Sequence, residues 1–325
     1  MSAIGQRRIG RSAATAVVFI VAAAGTLTGC AWRFDQGKEF QDDRTETAAV
    51  SEIQLIGGDG SITVARGTGT TTQIHRTVWY RTHKPDGRQD RIDGTALVLD
   101  TTCGRDCVVS YEVTVPAEVN VSGHLDTGQV DLAQVGTVAV ETEDGGIAVR
   151  GASGDVTVQT DTGPIRLETV AGKVTARTQD GGIVVRAGAK DVTAETDTGP
   201  IKLTDVAGAA DLRTGDGGIS LDRIGGQVTA ETDTGPIKGT NLGGAKTLAK
   251  TEDGSITLTL TTAQDVEATT GTGPISLTVP PAAGGYRVRA ETDNGPTSVH
   301  VPDSPTGTRS LTLRSTDGGI TVDQA

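Results

Sequence analysis

Aspartate recurs through this chain in two fixed settings. Asp144, Asp180 and Asp216 each stand directly before a glycine, whereas Asp161, Asp197 and Asp233 each stand two residues before one. Such a rib of carboxylates admits three chemistries: capping of turn backbone, ligation of a cation such as calcium, or the acid/base pairs of glycoside cleavage. Calcium takes about six to eight oxygens per ion, and these turns lack the nonapeptide pattern of calcium-loaded β-rolls. Glycoside cleavage needs two carboxylates across one cleft with one pKa raised, but a repeat multiplies equivalent exposed sites. Turn capping is the expected role, with a cation or ligand rib as the alternative.

The cysteines divide by context. Cys30 ends the tetrapeptide Leu27-Thr28-Gly29-Cys30, which follows a basic start (Arg7, Arg8, Arg11) and an apolar run from Ala13 to Ala24. That run is too short to span a bilayer and reads as the core of an export signal over residues 1–29. Arg7-Arg8 lacks the continuation of a twin-arginine signal, so ordinary secretion is expected. The tetrapeptide has the form of a lipobox, which makes Cys30 the expected lipidated terminus, carrying thioether-linked lipid and palmitate. Each buried methylene contributes about 0.8 kcal/mol, so two or three chains hold a protein stably at a membrane. The expected location is a cell membrane, lipid-anchored and facing outside the cytoplasm. Cys103 and Cys107 remain, with three residues between them. In an exported chain they read as a local disulfide closing a turn, because the spacing is not the two-residue gap of a redox dithiol.

Other chemistry is not legible. His75, His83, His124 and His300 are scattered and none sits at ligand spacing with Cys or Glu. The glycine-rich turns follow no P-loop or dinucleotide pattern, and no cofactor is expected. The chain has 29 basic and 41 acidic residues; without the three signal arginines it has 26 against 41, a net charge of −15. A chain this acidic repels phosphate, so nucleic acid is not an expected partner and membrane contact is expected through the lipid alone.

The elements that position the rib emerge from internal periodicity. A turn glycine after Asp or Thr, or at 295 after Asn, recurs at 128, 145, 163, 181, 199, 217, 235, 254, 273, 295 and 318, with an outlying Asp59-Gly60. The gaps are 17, then 18 five times, then 19, 19, 22 and 23. Two residues after the glycine stand Ile147, Ile165, Ile183, Ile201, Ile219 and Ile237, and two further on Val149, Leu167, Val185, Leu203 and Leu221. The same alternation precedes the glycine, as in Val156 and Val158 or Val174 and Ala176. Period two marks strands with one buried face, so each unit holds two short strands around a turn. Stacked units share one core. The expected fold is all-β: a single-stranded parallel β-solenoid, or β-helix, with coils of about eighteen residues and capped ends.

Two further columns refine this. Three residues before the glycine stand Thr142, Thr160, Thr178, Thr196, Thr214 and Thr232, hydroxyls expected to satisfy backbone groups at a corner. Four before it run Arg177, Glu195, Arg213, Glu231 and Lys250. Eighteen-residue coils place opposite signs about 4.8 Å apart on a solvated face, whereas thirty-six-residue coils would stack like on like. Eighteen is therefore preferred. Residues 30–50, polar and poor in apolar side chains, are expected to form the lipidated terminus and a flexible spacer. Residues 51–120 are expected to form an N-terminal β cap, and residues 121–325 the repeats with a C-terminal cap.

Val115-Pro116-Ala117-Glu118-Val119, the repeated Thr-x-Asp-Gly-x-Ile units and the closing stretch from Tyr286-Arg287-Val288 to Asp317-Gly318 carry a resemblance. Over roughly residues 50–325 the chain resembles the bacterial putative-adhesin family of β-solenoid proteins, a domain of unknown function. The resemblance implies an extracytoplasmic, right-handed β-helix with no assigned catalytic residue. Together with the residues themselves it leads to a non-catalytic, adhesin-like surface interaction or scaffold module whose partner is an unknown protein or glycan. The alternative is a carbohydrate-active β-helix enzyme, which long loops over one face would favour.

Overall fold

The computed structural model describes residues 37–325, in which every regular element is a β-strand. The signal segment and Cys30 lie outside the described residues. The strands form two sheets, of fifteen and fourteen members.

One coil shows how the sequence builds them. Val156–Thr162 runs in the fourteen-stranded back sheet, the chain turns at Gly163-Pro164, and Ile165–Val170 runs in the fifteen-stranded front sheet. The next coil repeats this in parallel, with Val156 opposite Val174 and Ile165 opposite Ile183. The coil is therefore eighteen residues. Val156, Val158, Ile165 and Leu167 point between the sheets and are at most 1% exposed. Burying such a side chain contributes about 1.5–3 kcal/mol, and no coil can do so without its neighbours. The turn glycines are required by close approach: a Cβ on Gly199, whose φ is +138°, would lie 2.3 Å from the carbonyl oxygen of Gly181 in the adjacent coil.

A second device repeats in the front sheet. Gln134, Thr169, Ala187, Asp205, Arg223 and Asn241 all adopt φ between +55° and +59°, and Gly151 takes the same place. Strict alternation would turn Thr169 inward and Val170 outward; the left-handed residue leaves Glu168 and Thr169 both outside, and Val170 is 1% exposed. That conformation costs a non-glycine residue about 1–2 kcal/mol, which burial of the following aliphatic side chain offsets.

Thirteen coils are built in this way, counting the fifteen front strands less Lys38–Glu46 and Thr72–Tyr80, and the fourteen back strands less Arg91–Asp93. At about 4.8 Å per coil they span roughly 60 Å. Both ends depart from chain order. The coil of Glu52–Ile56 and Ile62–Arg66 lies between that of Asn120–Thr127 and Val130–Val135 and that of Ala96–Asp100 and Cys107–Val115. At the other end Arg309–Asp317 and Ile320–Gln324 stack directly on Asp265–Thr272 and Ile275–Val279, leaving Tyr286–Asn294 and Thr297–Val299 outermost. The turn glycines at 273, 295 and 318 therefore do not follow chain order up the stack: Gly318 lies against Gly273, and Gly295 lies beyond it. Burial supplies the reason: the final segment offers Leu311, Leu313, Ile320 and Val322, each fully buried, whereas the outermost coil offers the half-buried Val288 and Ala290 and the exposed Val299. The more apolar coil takes the interior place.

The spacer expected over residues 30–50 is also corrected where it is described. Lys38–Glu46 is a nine-residue strand, antiparallel to Thr72–Tyr80, with Asp42 opposite Arg76. Its inward residues alternate as Phe40, Asp42, Arg44 and Glu46, a charged pattern rather than an apolar one. Arg76, 2% exposed, grips Asp42 through Nη2 at 2.5 Å and Nε at 3.2 Å, and donates to the Gly87 carbonyl at 3.1 Å. Arg44 and Arg88 close on the buried Asp90 at 3.0 and 2.8 Å. Ion pairing docks this strand where hydrophobic patterning gave no sign of one.

Candidate functional site

The acidic rib runs along the edge where the back sheet turns into the front sheet. Asp144, Asp180 and Asp216 occupy one register column, alternating with Thr162, Thr198 and Thr234. Thr162 donates its hydroxyl proton to Asp144, and Thr198 to Asp180. Asp161, Asp197 and Asp233 form the neighbouring column, alternating with Gln179 and Gly215. The second column meets further acids at its ends, Glu143 beside Asp161 and Glu252 beside Asp233, but in the first column alternation with threonine keeps like charges two coils apart. In water this lowers each pairwise repulsion from about 0.9 kcal/mol at 4.8 Å to about 0.4 kcal/mol at 9.6 Å. Asp161 and Asp197 share a shallow groove with the ion pair Arg177–Glu195, whose nitrogen and oxygen are 3.3 Å apart. Among the described residues no group of three or more His, Cys, Asp or Glu side chains could hold a metal ion.

Beside the rib the buried threonines serve the turns. Thr160 donates to the carbonyl of Gly145 at 2.9 Å, Thr178 to Gly163 at 3.2 Å, Thr196 to Gly181 at 3.0 Å, Thr214 to Gly199 at 3.0 Å and Thr232 to Gly217 at 2.9 Å. Each bond ties a hydroxyl to the turn glycine of the preceding coil. On the outer back face the alternating charges pair across coils, Arg177 with Glu195 and Arg213 with Glu231, the latter at 3.5 Å. Exposed pairs of this kind contribute about 0–1 kcal/mol each, so they set the register's charge balance more than its stability.

Cys103 and Cys107 are bonded, with Cα atoms 5.7 Å apart. The bridge closes the turn between Ala96–Asp100 and Cys107–Val115, the outermost parallel coil at the N-terminal end. There Tyr111 is buried and donates its hydroxyl to the Asp100 carbonyl at 3.1 Å; burial pushes its phenol well above the usual range. His75 and His300 each meet a single carboxylate, Asp43 and Asp323, at 2.7 Å.

The front face carries a feature that the repeat analysis did not single out. A shallow groove of about 460 Å³ opens there over Lys202, Ser220 and Lys238, with Thr204, Asp222 and Thr240 along one side. The signal for it was present in the residue after each core isoleucine: Arg166, Lys202 and Lys238 recur in every second coil. Acids nearby are committed elsewhere. Arg223 holds Asp205, and Asn241, Thr240 and Arg223 together hold Asp222, which keeps both carboxyls below their ordinary range. No helix among the described residues is long and apolar enough to cross a membrane.

Paired sheets, eighteen-residue register and inward ladders define an all-β protein of the parallel solenoid class. Its turns, columns and coils are those of one extended repeat. The chain belongs to the Toastrack DUF4097 family, which matches residues 110–324, about two thirds of its length. Among solved structures it is similar to a protein of Bacteroides fragilis described as a "putative adhesin", at 12% identity and a TM-score of 0.28, covering 89% of this chain and 97% of that one. It is also similar to a "putative cell adhesion protein" of Clostridium sporogenes, at 10% identity and a TM-score of 0.20, covering 89% of this chain and 100% of that one. No curated protein matches the chain.

Proposed function

We propose that this protein is a lipid-anchored, extracytoplasmic module that uses its solenoid as a non-catalytic, adhesin-like surface for a protein or glycan partner. One observation carries the reading: the central coils present long, flat ladders joined by short turns, with polar side chains spread along open faces rather than converging in an enclosed cleft. Chemistry on a substrate requires convergence of reacting groups, whereas adhesion requires repeated exposed contacts. The lipobox at Cys30 supplies the anchor in this reading, and the first strand begins eight residues beyond it, at Lys38. The acidic rib serves to join neighbouring coils, Asp144 and Asp180 accepting the hydroxyls of Thr162 and Thr198 rather than the turn N–H groups expected of capping residues, with any cation bound there an accessory to adhesion.

The test follows the full chain in cells. Wild type is expected in the membrane fraction with an acylated peptide beginning at Cys30, and Cys30→Ser in the soluble exported fraction. The purified protein is expected to retain envelope material without releasing reducing or unsaturated sugar. Sugar release abolished by Asp197→Asn would instead establish the carbohydrate-active enzyme, and an unmodified Cys30 would remove the anchor.

A further inference from the structure

We infer that the front face binds a linear acidic polysaccharide along the rod axis, its carboxylates held by Arg166, Lys202 and Lys238. The inference rests on the surface-module reading above and names the class of its partner. In register, the residue outside each core isoleucine runs Ala148, Arg166, Val184, Lys202, Ser220, Lys238. A cation therefore stands in every second coil, about 9.6 Å from the next. All three are exposed, and among the described residues no carboxylate comes within 4.0 Å of their charged nitrogens. The acids of this face are occupied instead: Asp131 by Arg150 at 2.5 Å, Glu168 by Arg186 at 3.5 Å, and both Asp205 and Asp222 by Arg223. Along the front strands from Val130–Val135 to Ile275–Val279 these three are thus the cations left without a carboxylate partner, in a chain whose formal net charge is −12, while other cations without one, such as Lys190 and Lys250, stand off this face.

The shape of the row selects the ligand. Between Lys202 and Lys238 the small Ser220 leaves the groove open, and the hydroxyls of Thr204 and Thr240 flank it. These groups suit a chain of hydroxylated rings carrying a carboxylate at intervals. A polymer with one carboxylate per disaccharide repeats its charge at about the two-coil distance. Duplex DNA presents a phosphate about every 3.4 Å of axis on each strand, far denser than this row can answer. Neutral glycans are excluded by the absence of any stacking platform, because no Phe, Trp or Tyr occurs between Tyr111 and Tyr286. Recognition is then electrostatic and spread over several coils, with modest affinity at each contact and gain from their number.

Hyaluronan oligosaccharides, one carboxylate per disaccharide, are the probe, and their methyl esters the neutral control. The full chain, purified in detergent, is expected to bind the acid form at about 50 mM salt and lose most of that binding at about 500 mM. It is not expected to bind the ester. Lys202→Glu/Lys238→Glu should weaken binding at least about tenfold, while Lys190→Glu/Lys250→Glu, the same charge change on exposed residues elsewhere, should leave it within about twofold. Unchanged melting of both variants shows that they fold. Equal loss in the two variants, binding of the ester, or no binding by wild type overturns the assignment. A front-face variant that instead abolishes self-association of the wild type also overturns it, by giving the row to a second copy. Envelope retention measured on the same preparations separates the two claims: retention that survives Lys202→Glu/Lys238→Glu leaves the surface-module reading standing without this ligand.

Discussion

Thr196 donates its hydroxyl proton to the carbonyl oxygen of Gly181, 3.0 Å away and one coil earlier. No backbone N–H among the described residues bonds that oxygen, and a Cβ on Gly199 would press against it from the next coil. The turn is therefore closed by a side chain, and the same bond recurs up the edge. Solenoid stability is distributed over such interfaces, so local damage should read out as a loss between neighbouring coils.

Thr196→Val should destabilise the protein by about 1–3 kcal/mol, because it leaves a buried carbonyl without a donor at nearly unchanged volume. Thr196→Ser should recover most of this. Thr142 provides the internal control: its buried hydroxyl has no partner, so Thr142→Val should be neutral or stabilising. Chemical denaturation of the three variants decides the matter, and equal costs at 142 and 196 would refute it.

Arg76→Met should cost about 1.5–3 kcal/mol locally, since it removes the charge-assisted bonds of the buried guanidinium and leaves Asp42, one-third exposed, with Arg88 as its remaining partner. The loss should concentrate in Lys38–Glu46. Hydrogen exchange is expected to show this strand opening before the central coils, and limited proteolysis should cut near residues 47–50. Protection of 38–46 equal to wild type would show that backbone pairing alone holds the strand.

Stability should fall in acid in a defined window. Asp205 and Asp222 sit below their ordinary value of 3.8, held by Arg223 and by the amide of Asn241 respectively, and Glu46 sits below 4.5, held by the Ala48 N–H and Arg44. A folded-state pKa below the unfolded value means that the unfolded chain binds protons first. Their contribution is therefore full above about pH 5 and is lost as pH falls through and below 4. Melting temperature against pH should show that decline, shallower in Asp205→Asn/Asp222→Asn. Asp205 is exposed and Asp222 half-buried, so solvent screens both pairs and the change in slope should be small.

Calcium or chelator should shift the melting temperature by less than about 1 °C. Thr162 and Thr198 already bond Asp144 and Asp180, and the carboxylates of one column are two coils apart, whereas calcium gathers about six to eight oxygens at one point. A saturable increase of several degrees would establish the rib as a cation site.

The sequence by itself determined the repeat, the two strands per unit, the inward isoleucine ladder and the eighteen-residue register. Each of these is a local pattern enforced by the pleat and multiplied by stacking, and charges such as Arg177 and Glu195 distinguish the register because opposite signs must meet across adjacent coils. The turn roles of Thr160, Thr178, Thr196, Thr214 and Thr232 were equally legible, but Thr142, at the same offset, departs from the expectation with a buried hydroxyl that has no partner. Tertiary structure decided what depends on competition between distant segments. Leu311 and Ile320 take the interior place ahead of Val288 and Val299 because burial favours the more apolar coil, whatever the chain order. Asp42 makes a strand of an apparent spacer because Arg76, 34 residues later, waits for it. The left-handed turn at Thr169 has no glycine to announce it, because the gain that offsets it belongs to Val170 and is realised only once the core exists. The basic row on the front face was spelled in the sequence at Arg166, Lys202 and Lys238. Only the folded coils show that its neighbouring acids are already paired.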